Sequence, residues 1–108
     1  MNCNGSGVIV RYSTPTIQIN FNTIDPATIA EAYLVFKRAG VVVLTKELTE
    51  ATVDETWISW TLTQAETGAM LVNTSVTVCC DWKLNDGTRG RSHTKDFRIA
   101  ETGVDEVI

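Results

Sequence analysis

The chain has 108 residues, 44% of them apolar and 20% charged, which fits one ordinary globular domain and argues against disorder. Its 13 acidic and 9 basic side chains leave a net charge of −4, so the broad basic face that nucleic-acid backbones require is not expected. Apolar runs fall far short of the ~20 residues that span a bilayer, and the opening "MNCNGSGVIV" has no basic stretch followed by a long apolar one, so neither a membrane span nor a secretory signal is read.

In chain order, "GVIVRY" (7–12) reads as an edge strand, and "TIQINF" (16–21) alternates Ile17, Ile19 and Phe21 against Gln18 and Asn20, the period of a half-buried strand. The segment "IDPATIAEAYLVFKRAG" carries two conflicting signals. Asp25 followed by Pro26, with Lys37, Arg38 and Gly40 at the far end, has the caps of a helix. Yet "AYLVF" is rich in strand formers and runs into a "KRAG" hairpin signal followed by "GVVVLT". Residue pattern alone leaves strand and helix open over 26–37. "WISWTL" alternates Ile58, Trp60 and Leu62, and in "LTQAETGAML" the spacing of Thr63 and Glu66 predicts a capped helical turn near 63–68, with Gly68 as its stop. "VTVCCDW" alternates Val76, Val78, Cys80 and Trp82 against Thr77, Cys79 and Asp81. Asn85-Asp86-Gly87 then signals a hairpin, and "DFRIA" (96–100) gives a last strand. Short strands, turns and one short helical crossover describe an all-β, single-domain antiparallel β-sandwich. Residues 1–7 and 101–108 are expected to be mobile tails.

Little in this pattern points to catalysis. Three cysteines cannot complete a paired framework, and adjacent Cys79 and Cys80 would pair only under strain, so free thiols in a reducing cytoplasm are expected. On a strand those two point to opposite faces, which also keeps them from sharing a metal ion. Alternation puts Cys80 in the core and Cys79 outside, so Cys79 is expected to meet a thiol reagent first. A Cys79–His93 nucleophilic pair has no orienting third group that the sequence identifies. The acids Glu47, Glu50, Asp54 and Glu55 read as a solvated loop. No catalytic residue, cofactor, metal or small-molecule substrate is assigned.

The candidates for a partner interface are of three kinds. Arg89, Arg91, His93 and Lys95 fall on one face of a strand, opposite Gly90, Ser92 and Thr94; that stripe either blocks edge-to-edge aggregation or meets an acidic partner, a protein ahead of a nucleic acid. Trp57 alternates away from Ile58 and Trp60, which leaves it exposed at an interface or packed under a loop. In the tail, Val104, Val107 and Ile108 are apolar anchors for a neighbouring molecule.

The order "RYSTPTIQINF", "AYLVFKRAGVVVLTKEL", "ISWTLTQAETGAM", "VTVCCDWKLNDGT" and "GVDEVI" resembles small virion-associated proteins of tailed phages and prophages of Gram-positive bacteria. It is similar to the immunoglobulin-like N-terminal domain of upper baseplate proteins. The resemblance implies an immunoglobulin-like sandwich with "AYLVF" as a strand. It also implies a non-enzymatic virion role in the tail, the baseplate, a capsid decoration or a head-fibre base, with other virion proteins as partners in a symmetric assembly. Because the sequence stops at Ile108 without a coiled coil, shaft or receptor-binding head, docking or joining is expected rather than receptor recognition. The rival reading is a glycan-binding or adhesion module of a bacterial surface protein, with Trp57 in its aromatic platform.

Overall fold

The computed structural model describes residues 2–4, 7–21, 24–92 and 94–101. Its strands are β1 (Asn2–Asn4), β2 (Val8–Val10), β3 (Thr16–Asn20), β4 (Ile29–Arg38), β5 (Val41–Glu47), β6 (Thr52–Asp54), β7 (Trp57–Thr61), β8 (Ser75–Leu84), β9 (Arg89–Arg91) and β10 (Lys95–Ala100), and between β7 and β8 lies the α-helix α1 (Gln64–Gly68). A four-stranded sheet has the order β1-β3-β7-β6; a six-stranded one has β2-β10-β8-β4-β5, with β9 paired to β8. The alternating apolar positions meet between them in one core: Ile17, Ile19, Ile58 and Trp60 from the smaller sheet, and Leu34, Phe36, Val78, Cys80, Phe97 and Ile99 from the larger. Each such side chain gains about 1.5–3 kcal/mol by leaving water, which makes this face-to-face burial the main source of stability.

The two signals in the contested segment are both used, one after the other. The Asp25 carboxylate accepts the Ala27 N–H at 2.9 Å and Pro26 opens the turn, but only a 3-10 turn over Pro26–Thr28 results. From Ile29 the chain is strand, with Ala32, Leu34 and Phe36 buried at alternate positions. A helix would have turned Leu34 to the opposite side from Ala32 and Phe36; the strand puts all three on the core. Ala39 (φ +51°) and Gly40 (φ +80°) then form the two-residue hairpin turn to β5, both in the left-handed region that such turns use.

The capped helical turn is as expected: the Thr63 hydroxyl accepts the Glu66 N–H, and Glu66 accepts the Thr63 N–H at 2.8 Å. Gly68, expected as its stop, is the last residue of the helix and has a second role. A Cβ there would stand 2.3 Å from Tyr12 Cε1, so glycine lets the tyrosine ring approach the helix. The same helix covers Lys46. This lysine is a β5 residue that faces inward opposite Leu34, is 6% exposed, and donates to both Glu66 oxygens at 2.9 and 3.0 Å.

Several expectations are corrected. The sheets are not wholly antiparallel: β2 runs parallel to β10, with Val8 opposite Arg98 and Val10 opposite Ala100. The acidic loop is ordered structure, a 3-10 turn over Leu48–Glu50 and the edge strand β6, with Glu50 3.3 Å from Lys46. Within the expected N-terminal tail, Asn2–Asn4 pairs with β3, while residues 1, 5 and 6 lie outside the described residues. The expected C-terminal tail is described only at Glu101, which meets Arg11 at 3.3 Å; residues 102–108 lie outside the described residues. No helix among the described residues is long and apolar enough to cross a membrane.

Candidate functional site

The outward face of the larger sheet carries a groove of about 530 Å³ at the hairpin joining β8 to β9. The strand registers set its side chains in two rows. Glu31, Lys83 and Arg89 lie abreast in one, and Tyr33, Asp81 and Arg91 in the next. The hairpin that aligns them follows the sequence signal: Gly87 at φ +92° donates its N–H to the Leu84 carbonyl, and the Asp86 carboxylate accepts the Thr88 N–H at 2.8 Å. On the inward side of the same strands, the Trp82 indole lies against Gly90 and meets Phe21 edge-on, with centroids 5.4 Å apart. That stacking fixes β9 over the core and so fixes the arginines above it.

Charge is unevenly settled across the groove. Asp81 accepts from Arg91 Nε at 2.5 Å and from its Nη2 at 3.2 Å, a two-point pairing that raises the Arg91 pKa and orients the guanidinium. Lys83 and Arg89 are direct cross-strand neighbours, and among the described residues neither has an acid within ion-pair distance.

The basic stripe expected over 89–95 does not form a single face. Arg91 faces Asp81 but Lys95 faces Val78, so four steps along one strand match three along the other. Such an extra residue turns every following side chain over. Arg89 and Arg91 therefore look outward, while Lys95 shares the side of Phe97, its Nζ 5.5 Å from the ring centroid. His93 lies outside the described residues, as do Val104, Val107 and Ile108. Trp57 is half-buried on the smaller sheet, between Asn20 and Asp54, and is no part of this groove.

Cys79 corrects a further expectation. It does point away from the core face that Cys80 occupies, yet it is only 4% exposed. On a central strand a small side chain beside Val35, Asp81 and Arg91 is shaded by taller neighbours. Burial first, then the Asp81 carboxylate, pushes its thiol pKa up, against the pull of Arg91 and Lys37. An activated nucleophile needs the reverse. No cluster of metal-binding side chains occurs among the described residues.

Sequence reasoning missed Lys83, Tyr33 and Glu31. The alternation in "VTVCCDW" continues through Asp81 to Lys83, so that signal was available. Tyr33 and Glu31 join the face only once their segment is known to be a strand. Comparison with protein-family models, curated proteins and solved structures found no match to this chain.

Proposed function

We propose that this chain is an immunoglobulin-like structural protein of a tailed-phage virion, a domain that docks on or joins other virion proteins and does no catalysis. The observation that carries this reading is the strand order. With β1 and β2 as a first strand divided between the sheets, β1-β3-β7-β6 corresponds to the A-B-E-D order of immunoglobulin domains, and β10-β8-β4-β5 to G-F-C-C′. That correspondence supports the fold that the resemblance to baseplate proteins implies. The inter-sheet disulfide of antibody domains has no counterpart: Cys80 is a free thiol in the core, and β3 offers Ile17 and Ile19.

Exposed apolar side chains support docking. Val41, Val42 and Val43 on edge strand β5 are 64%, 52% and 37% exposed, and Val53 on edge strand β6 is 50% exposed. Sheet edges carrying exposed valines invite pairing with another chain, and a partner in a symmetric assembly would cover them. The protein would be made in the bacterial cytoplasm and end in the particle. Mass spectrometry of gradient-purified particles from a host that encodes the chain tests this. Its peptides should co-sediment with capsid and tail proteins in fixed proportion; their restriction to the soluble lysate would refute the reading.

A further inference from the structure

We propose that the β9 edge and the Lys83–Arg89 pair form a binding site for an extended acidic segment of a partner protein, one carrying carboxylates on alternate residues.

The main chain supplies half of the argument. The Ser92 N–H donates to the Cys80 carbonyl and the Leu84 N–H to the Thr88 carbonyl, each at 2.8 Å. These bonds flank the Trp82–Gly90 pair, and antiparallel ladders alternate, so Gly90 turns its main-chain groups toward β8. Arg89 and Arg91 therefore turn theirs toward the open edge. The edge of β10 is covered by β2 over Arg98–Ala100, whereas among the described residues β9 pairs with β8 alone. A strand added there gains hydrogen bonds from both arginine positions.

The side chains supply the other half. A strand laid beside β9 places every second side chain on the outward face, directly opposite Arg89 and Arg91. Like charges side by side in a sheet are unfavourable, and Lys83 and Arg89 are such a pair. One carboxylate opposite Arg89 reaches both cations and removes the repulsion. Arg91, already oriented by Asp81, presents a fixed guanidinium to a second carboxylate two residues along.

The same geometry disfavours a polyphosphate. Glu31 and Asp81 stand within the groove, and the chain as a whole carries −4, so a continuous row of phosphates would meet acids as well as cations. Separate carboxylates on alternate residues can reach the cations alone.

This inference takes partner docking from the proposed function, but its test needs no particle. Fluorescence anisotropy would compare three labelled probes: a peptide of alternating glutamate and valine, its glutamine counterpart, and oligothymidylate of the same charge. The glutamate peptide should bind, with the glutamine peptide and the Arg89→Glu variant each weakening binding by about tenfold or more. Lys83→Gln should weaken it less, and Arg38→Glu, outside the groove, should leave it unchanged. Thermal unfolding of each variant confirms that it is folded. No saturable binding at millimolar protein, or equal binding by wild type, Arg89→Glu and Lys83→Gln, would overturn the proposal. Oligothymidylate binding as tightly as the glutamate peptide would also overturn it. Peptide binding without particle association would refute the virion reading and leave this one standing.

Discussion

The Cys80 main-chain N–H donates to the Ser92 hydroxyl at 2.8 Å, where a regular ladder would offer it a carbonyl. Ser92 also gives its own N–H to the Cys80 carbonyl, so one serine closes both sides of the pair at the point where β9 ends and the register changes. Both residues are buried. Ser92→Ala would remove this hydroxyl from the buried pair and should cost about 1–3 kcal/mol. A lower urea midpoint with an unchanged slope is expected, together with faster exchange of the Cys80 amide.

Gly90 is needed because Trp82 occupies the space a side chain would take. A Cβ there would stand 2.2 Å from Trp82 Cζ2, inside the indole ring system rather than at the end of a flexible chain. Gly90→Ala should therefore displace the indole from Phe21 and cost about 1–3 kcal/mol, as overpacking does. In a Trp82→Ala background the same glycine substitution should cost much less, because the clash is gone. Equal costs in the two backgrounds would show that the glycine serves some other purpose.

The buried Lys46 ties stability to pH. Burial lowers its pKa, but Glu66 and then Glu50 outweigh that and hold it above its ordinary 10.5. Burial likewise raises the Glu66 pKa, but the Thr63 main chain and the Lys46 ammonium outweigh it and hold the carboxyl below 4.5. A depressed carboxyl stabilises above its unfolded value, and that contribution is lost as pH falls through the lower folded value. A raised lysine stabilises below 10.5, and its contribution is lost as pH climbs past its folded value. Glu66→Gln should cost about 1–2 kcal/mol near neutral pH, less than breaking a fully buried pair, because Glu66 is partly exposed and Glu50 remains. Urea titrations across pH should show that difference shrinking below pH 4.5.

Thiol chemistry checks the shading of Cys79. With Cys3 replaced by serine, neither Cys79 nor Cys80 should react with a maleimide in the folded protein, since they are 4% and 0% exposed. Both should react in denaturant. Rapid native labelling of Cys79 alone would mean that its neighbours do not cover it.

Most of the core was legible in the sequence, because alternation is a local property. Ile17 with Ile19, Ile58 with Trp60, and Val76 with Val78 and Cys80 lie where their spacing put them. The same rule, carried further, would have placed Lys46 inward beside Leu44 and Lys83 outward beside Asp81. What failed depends on contacts between distant segments. Lys95 changes face because three steps from Ser92 to Lys95 match only two from Cys80 to Val78, a slip between segments that periodicity cannot reveal. Strand β6 is exposed throughout and so carries no alternation to read. The Asp25–Pro26 cap was a true signal whose length was misleading: it starts a turn, and burial of Ala32, Leu34 and Phe36 then favours a strand over a helix.

The docking of this domain within a larger particle is a proposal that can be tested on the particle itself. Cryo-electron microscopy of purified virions, at a resolution that separates strands, tests it most directly. A two-sheet density with this strand order is expected, repeated with the symmetry of the particle and with the Arg89–Arg91 edge against a neighbouring chain. A map in which every ordered density belongs to other proteins would contradict it.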